Sequence, residues 1–223
     1  MVGKLYVVGT PIGNLADLSA RALEILGRVD AILAEDTRHT GILLQHFGLR
    51  VPMVSYHKFN EAKRREEILG RLSAGQQLAL VSDAGMPGIS DPGQRIIDDC
   101  LRQGVAVEVI PGPSAVIHAL VASGFSSTPF YFGGFFPVKS GGRVIEATSS
   151  LARDCTSVYF ESPHRIIRTL EAFAALDAER RLCLARELTK KFEEVTTGTP
   201  GDILAHYAGR TVKGEICLVI EGC

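Results

Sequence analysis

Short apolar runs rich in valine, isoleucine and leucine alternate along the first half of the chain with longer amphipathic segments. Continuous short apolar runs bounded by turn residues read as strands, and apolar positions three and four apart read as helices. The pattern predicts strands over residues 5–9, 31–34, 51–56, 78–82 and 105–110. Between them it predicts helices over 19–27, 37–47, 61–73 and 93–103, the first with Ala22, Leu23, Ile25 and Leu26 as its apolar positions. Repeated strand–helix units imply a mostly parallel sheet covered by helices.

Pro111-Gly112-Pro113 breaks this rhythm sharply. We therefore divide the chain into an N-terminal α/β domain, 1–112, and a C-terminal α/β domain, 113–223. The second half predicts helices over 114–122, 143–151 and 163–175 and strands over 130–132, 157–160, 182–186 and 216–220. A further helix starts at Thr199-Pro200-Gly201-Asp202, where Thr199 serves as N-cap, Pro200 opens the first turn and Asp202 follows three residues on. The sequence carries no internal repeat and no low-complexity segment.

Composition changes this picture little. At 223 residues, with 46% hydrophobic and 22% charged positions, the chain is long enough to fold without metal or disulfide staples. The formal net charge of −1 gives no global basic field of the kind nucleic-acid binders often carry, so an RNA partner has to be met by a local patch. Cys100, Cys155, Cys183, Cys217 and Cys223 form no CxxC pair, which predicts buried thiols in a reducing compartment. The start, Met1 to Gly9, reads as a short strand-like run, not a signal peptide, and no apolar stretch approaches the ~20 residues of a membrane helix. The expectation is a cytoplasmic protein. Six histidines without metal-ligand spacing predict no metal site.

Ligands of open α/β sheets collect at the carboxyl ends of the strands. Three loops there hold the candidate chemistry. Gly9-Thr10-Pro11-Ile12-Gly13-Asn14 lacks both the dinucleotide fingerprint and the lysine of a phosphate loop. It reads equally as a ligand loop or as a tight strand-to-helix turn. Residues 82–93, Ser-Asp-Ala-Gly-Met-Pro-Gly-Ile-Ser-Asp-Pro-Gly, combine three glycines with two prolines. Glycine permits close backbone approach and proline stiffens the loop, which favours a ligand cradle over a solvated connection. Ile110-Pro111-Gly112-Pro113-Ser114-Ala115 leads into a small-residue helix whose first amides are free, either to meet a ligand or simply to follow a hinge. Exposed amides with few basic groups suit a ligand other than a polyphosphate.

Several charged clusters follow strand ends. Glu35-Asp36-Thr37-Arg38 opens a helix, where the acids also favour the helix dipole. Residues 57–65, His-Lys-Phe-Asn-Glu-Ala-Lys-Arg-Arg, are locally basic with an interleaved aromatic, which fits an RNA backbone or an ordinary solvated helix face. Phe160-Glu161-Ser162-Pro163-His164-Arg165 and Ala185-Arg186-Glu187-Leu188-Thr189-Lys190-Lys191 place acids and cations together. No GxSxG elbow occurs, and Ser162 and His164 are too close in sequence to suggest a hydrolase triad.

Taken together these segments resemble the tetrapyrrole methylase superfamily, and more narrowly its small-subunit ribosomal RNA (cytidine-2′-O-)-methyltransferase I branch. The resemblance runs in order through residues 8–15, 34–38, 81–85, 90–93, 111–113, 161–165, 185–190 and 213–215. It implies two α/β domains with an S-adenosyl-L-methionine cleft between them, and a homodimer. The implied cofactor contacts are Ile12, Asp83, Ala84, Gly85, Ser114 and Ala115, with Phe160, Leu188 and Glu215. The implied reaction is attack of a ribose 2′-oxygen on the sulfonium methyl, and Asp36 and Glu161 are the candidates for accepting the proton. Lys58, Arg64, Arg65, Arg165 and Lys190 are the candidates for RNA phosphates. Small-subunit ribosomal RNA, within the assembled subunit, is the expected partner. The wider superfamily also leaves open methylation of a tetrapyrrole precursor, and a non-catalytic binding module is the remaining alternative. Met86, Phe59 and Phe160 depart from the residues usual in the resemblance, threonine, histidine and tyrosine respectively. The chain stops at Glu221-Gly222-Cys223, where relatives commonly continue into a small helical domain.

Overall fold

A computed structural model describes residues 3–223, so the reading of the amino end rests partly on Met1 and Val2, which lie outside the described residues. The chain forms two compact units that part between Ser114 and Ala115.

The first unit holds strands β1 (Lys4–Val8), β2 (Ala31–Ala34), β3 (Met53–Ser55), β4 (Gln77–Val81) and β5 (Ala106–Ile110). Helices α1 (Ala20–Arg28), α2 (Thr37–His46), α3 (Glu61–Ser73) and α4 (Gln94–Arg102) alternate with them. The strands make one parallel sheet in the order β3-β2-β4-β1-β5. Alternate side chains of each strand enter opposite layers. Leu5, Val7, Leu33, Leu78 and Leu80 pack under α3 and α4. Tyr6, Val8, Ile32, Ala34, Ala79 and Val81 pack under α1 and α2. Burial on both faces explains why these strands read as continuous apolar runs. β3 is shorter than the predicted 51–56 because Pro52 has no amide to donate; its carbonyl accepts from the Ile32 amide at 2.9 Å.

The second unit holds α5 (Ala115–Ser123), β6 (Phe130–Phe135), α6 (Ser140–Leu151), β7 (Thr156–Glu161), α7 (Ile166–Leu176), β8 (Leu182–Arg186), β9 (Glu194–Gly198), α8 (Pro200–His206) and β10 (Ile216–Ile220). Its mixed sheet runs β6-β7-β10-β8-β9, parallel only between β6 and β7. α6, α7 and α8 cover one face through Ala147, Leu170, Phe173, Ile203 and Tyr207. α5 packs on the other, where the Cys217 thiol donates to the Ala115 carbonyl at 3.7 Å. The start of α8 forms the predicted capping box, Thr199 and Asp202 each bonding the other's backbone.

Strand β9 has no counterpart in the sequence reading. Its side chains alternate between half-buried and exposed with no fully buried position, as an edge strand allows. Glu194 fastens it, accepting from Arg186 at 3.0 Å and from the Tyr207 hydroxyl at 3.0 Å. At the other edge, β6 bulges between Phe132 and Phe135. Gly133 sits there so close to the buried Tyr159 ring that a Cβ would overlap its carbons. Gly133→Ala should therefore cost about 1–3 kcal/mol, as overpacking does, seen as a lower urea midpoint at unchanged m-value.

Candidate functional site

The topology of the first unit fixes where a ligand can meet it. β1 and β4 are neighbours, yet the chain leaves β1 for α1 on one face of the sheet and leaves β4 for α4 on the other, running toward β2 and β5 in opposite directions. Such a reversal between adjacent strands opens a crevice at their carboxyl ends. The loops after β1, β4 and β5 meet there backbone to backbone. Thr10 and Gly85 exchange amide–carbonyl bonds of 2.9 and 3.1 Å, and the Thr10 hydroxyl donates to the Ser82 carbonyl at 3.2 Å. A Cβ on Gly9 would stand 2.7 Å from the Gly112 Cα and 2.6 Å from the Met86 sulfur. Gly85 has φ +79°, and a Cβ there would meet Ile12 at 3.5 Å and the Pro113 carbonyl at 3.7 Å. Ile12, Gly85 and Pro113, drawn from three loops, thus border one point. Met86 fills the space over Gly9 with a thioether, which shows what the departure at this position does locally.

Two acids and an amide network lie beside this point, after β2. Asp36 caps α2, its carboxylate accepting from the Arg38 amide at 2.8 Å and pairing with the Arg38 guanidinium at 2.6 and 3.0 Å. Arg38 holds that carboxyl well below the usual carboxylate range. Asp83 accepts from the Asp36 amide at 3.1 Å, and its own amide donates to Glu35 at 3.4 Å. Burial, reinforced by the nearby Asp83 charge, pushes the Glu35 carboxyl upward against the pull of that amide. Sequence reasoning passed over Glu35 as a helix-start acid; its position as the first residue beyond a fully buried strand was the available signal.

Glu161, the other expected proton acceptor, has no exposed side-chain surface. It accepts from the Ser162 amide at 2.6 Å and the Thr169 hydroxyl at 2.7 Å, and pairs with Arg165 at 2.7 Å. All three partners belong to the turn into α7 or to α7 itself, so the group anchors that helix. Phe160 packs edgewise on Phe132 and at a tilt on Phe135, with ring centroids at 5.2 and 5.4 Å. Leu188 is buried between Glu187 and Thr189, and both neighbours have positive φ, +51° and +64°. Ser90 is the third such non-glycine residue among those described. All three lie on the loops singled out for chemistry, where backbone strain tends to collect. Glu187 also accepts from the Glu215 amide at 3.0 Å, filling the space a Cβ on Gly214 would need.

The expected RNA cations divide unevenly. Arg64 pairs with Glu67 at 2.6 Å, and Arg65 forms two 2.6 Å bonds to Asp99. Arg165 is held by Glu161. Lys190 bridges Glu187 and Glu215 at 2.8 Å each; burial opposes its charge, but the two carboxylates keep its ammonium above the ordinary lysine range. Lys58 is exposed and makes no ion pair among the described residues. Cys100 and Cys217 are buried, which lifts their thiols to about 11 and about 12 and makes both inert near neutral pH. Among the described residues no group of His, Cys, Asp and Glu is placed to hold a metal ion, and no helix is long and apolar enough to cross a membrane.

An open doubly wound sheet with a glycine-lined carboxyl edge, followed by a mixed five-stranded sheet, defines a two-unit α/β protein with a candidate ligand site on its first sheet. Residues 4–204 match the family described as Tetrapyrrole (Corrin/Porphyrin) Methylases. A ribosomal RNA small subunit methyltransferase I of Synechocystis sp. is 48% identical over 99% of this chain and 80% of its own length. One of Thermotoga maritima is 42% identical over 99% of both chains. The crystal structure of uroporphyrin-III-C-methyltransferase from Thermus thermophilus has the same fold, with a TM-score of 0.69 at 22% identity over 98% of this chain and 94% of that one. The chain belongs to the tetrapyrrole methylase family and, within it, to the ribosomal RNA small subunit methyltransferase I branch.

The methyl donor of this family is S-adenosyl-L-methionine. The first unit's loops fit such a ligand. Residues 9–14, 82–93 and 111–114 contain no lysine or arginine, which suits a cationic sulfonium and not a polyphosphate. The contact of Ile12, Gly85 and Pro113 forms a cradle that added Cβ atoms would fill. Gly9→Ala should push the loops after β1 and β5 apart, because the clash is with backbone. Calorimetric titration should then show donor affinity weakened by at least about tenfold, while far-ultraviolet circular dichroism stays unchanged.

Proposed function

We propose that this protein transfers a methyl group from S-adenosyl-L-methionine to the ribose 2′-hydroxyl of a cytidine in small-subunit (16S) ribosomal RNA. The observation that carries the donor half is the cation-free, backbone-built cradle where Ile12, Gly85 and Pro113 meet on the loops of the first sheet; Asp83, Ala84 and Ser114, next to these residues in the chain, are the further contacts we assign to the donor. The acceptor half rests on kinship with relatives named for ribosomal RNA methylation.

The donor when bound supplies an already activated methyl group, so the protein's main task is alignment. Thr10, Gly85 and Gly112 make the cradle rigid through main-chain contacts that leave little freedom to the loops. Of the carboxylates at this edge, Glu35 is the group suited to take a proton late in the reaction. Its Oε1 has no hydrogen-bond partner among the described residues. Asp36 is committed to Arg38 and Glu161 to α7, so we assign both a positioning role.

The reading includes a homodimer that acts in the cytoplasm on the assembled small subunit.

Incubation of unmethylated small subunits with labelled donor, followed by nucleoside mapping, should give one 2′-O-methylcytidine. Label on a corrinoid or porphyrin precursor and none on the subunit would overturn the assignment. Glu35→Gln should lower kcat by about a hundredfold, leave donor affinity within about twofold, and remove the acid limb of the pH–rate profile. The same variant has a stability signature. A carboxyl whose pKa is raised by folding loses stability as pH rises through the window above its unfolded value of 4.5. Glu35→Gln should abolish that loss, leaving the variant no less stable than the parent at pH 7.

A further inference from the structure

Phe59 is 93% exposed, more than any other large apolar residue among those described. An aromatic ring standing free on a floppy loop needs no explanation, but this loop is pinned. The His57 amide donates to the Asn60 side chain at 2.8 Å, and the Phe59 amide donates to His57 Nδ1 at 3.2 Å. The Asn60 amide donates to the His57 carbonyl at 2.9 Å, and its side chain donates to the Ser55 carbonyl at 3.1 Å. Glu61, next in the chain, accepts from the Gly93 amide at 3.0 Å and ties the segment to the end of the loop after β4. The His57 ring stands against Phe59 edgewise, with centroids 6.1 Å apart. Five hydrogen bonds and one ring contact therefore hold an apolar face outward.

Position and charge say what that face meets. β3 pairs with β2 through Ala34 and Ser55, and the Tyr56 amide donates to the Ala34 carbonyl at 2.7 Å. Glu35 and His57 thus leave the same end of neighbouring strands, and Phe59 stands two residues beyond His57 on the edge that holds the cradle. Lys58 and Lys63, both exposed and without ion pairs among the described residues, flank it. Arg64 and Arg65 are already engaged by Glu67 and Asp99. A rigid aromatic face beside unpaired lysines is the composition that receives a splayed nucleobase while its phosphates meet the cations.

We propose that Phe59 is a stacking platform for an unpaired base of the ribosomal RNA substrate, with Lys58 and Lys63 holding the adjoining phosphates. This rests on the proposed function and adds to it a single-stranded substrate segment read at the β3 end. A second copy of the chain or a protein surface would also cover an exposed phenyl ring, and the test separates these occupants.

The chain contains no tryptophan, so Phe59→Trp installs a lone tryptophan on the platform, which can be excited selectively over the five tyrosines. Titration with the single-stranded small-subunit RNA segment around the methylated cytidine should quench its emission in step with binding. An abasic version of the same segment should bind more weakly and leave emission unquenched. Phe59→Ala should weaken RNA binding by about fivefold to a hundredfold, the range for loss of one stacked base. Phe59→Trp should restore binding, Phe59→Leu should not, and donor titration should be the same in all three.

Saturated binding with unquenched tryptophan, or a Phe59→Ala variant that binds RNA as the parent does, overturns the platform and leaves the methyltransferase reading standing. Leucine restoring binding as well as tryptophan replaces the base with a generic apolar contact. A shift in oligomeric state with RNA affinity unchanged assigns the face to a second copy. Failure of the parent protein to bind or methylate the RNA at all removes the methyltransferase reading, and the platform falls with it.

Discussion

The first unit depends on two main-chain encounters, one with no room for a side chain and one that needs a left-handed residue. Gly9 meets Gly112 and Met86, and Thr10 pairs with Gly85, so three loops that are far apart in sequence share one backbone surface. Each contact is possible only because the residue facing it lacks a Cβ or adopts a left-handed conformation. The doubly wound sheet brings the loops to a common edge, but the glycines decide how closely they approach. A ligand bound there meets amides and carbonyls fixed before it arrives, which reduces the ordering cost of binding.

The acids at the strand ends of each unit show how one residue type acquires different tasks from its partners. Glu35 and Asp36 follow β2 and Asp83 follows β4 in the first unit, and Glu161 closes β7 in the second. Arg38 and a helix amide hold Asp36 ionised. Ser162, Thr169 and Arg165 take up Glu161. Glu35 receives one long bond and a neighbouring negative charge, and that poverty of partners is the ground on which we assign it the proton transfer.

The first unit was largely legible because its strands are buried on both faces and its loops announce themselves with glycine and proline. Residues 31–34 and 61–73 form the elements their patterns predict. β9 was illegible because an edge strand needs no buried alternate face, and Glu194, Thr196 and Thr197 give it a polar appearance. In the site, the glycine loops were visible from composition, whereas the fate of the charges was not. Arg65 meets Asp99 across thirty-four residues of chain, and Glu161 meets Thr169 one helical turn into α7. Spacing shows that such groups exist; only packing shows which of them neutralise one another.

The internal pairing of cations bears on how the protein encounters its substrate. Arg64, Arg65, Arg165 and Lys190 each face a carboxylate of their own chain, and the net charge is −1. Nonspecific attraction to polyanions scales with the phosphates a protein neutralises, and these four cations contribute little to it. Under the function we propose, bulk transfer and messenger RNA then compete less through coulombic capture, and discrimination rests more on the fit of the target nucleotide.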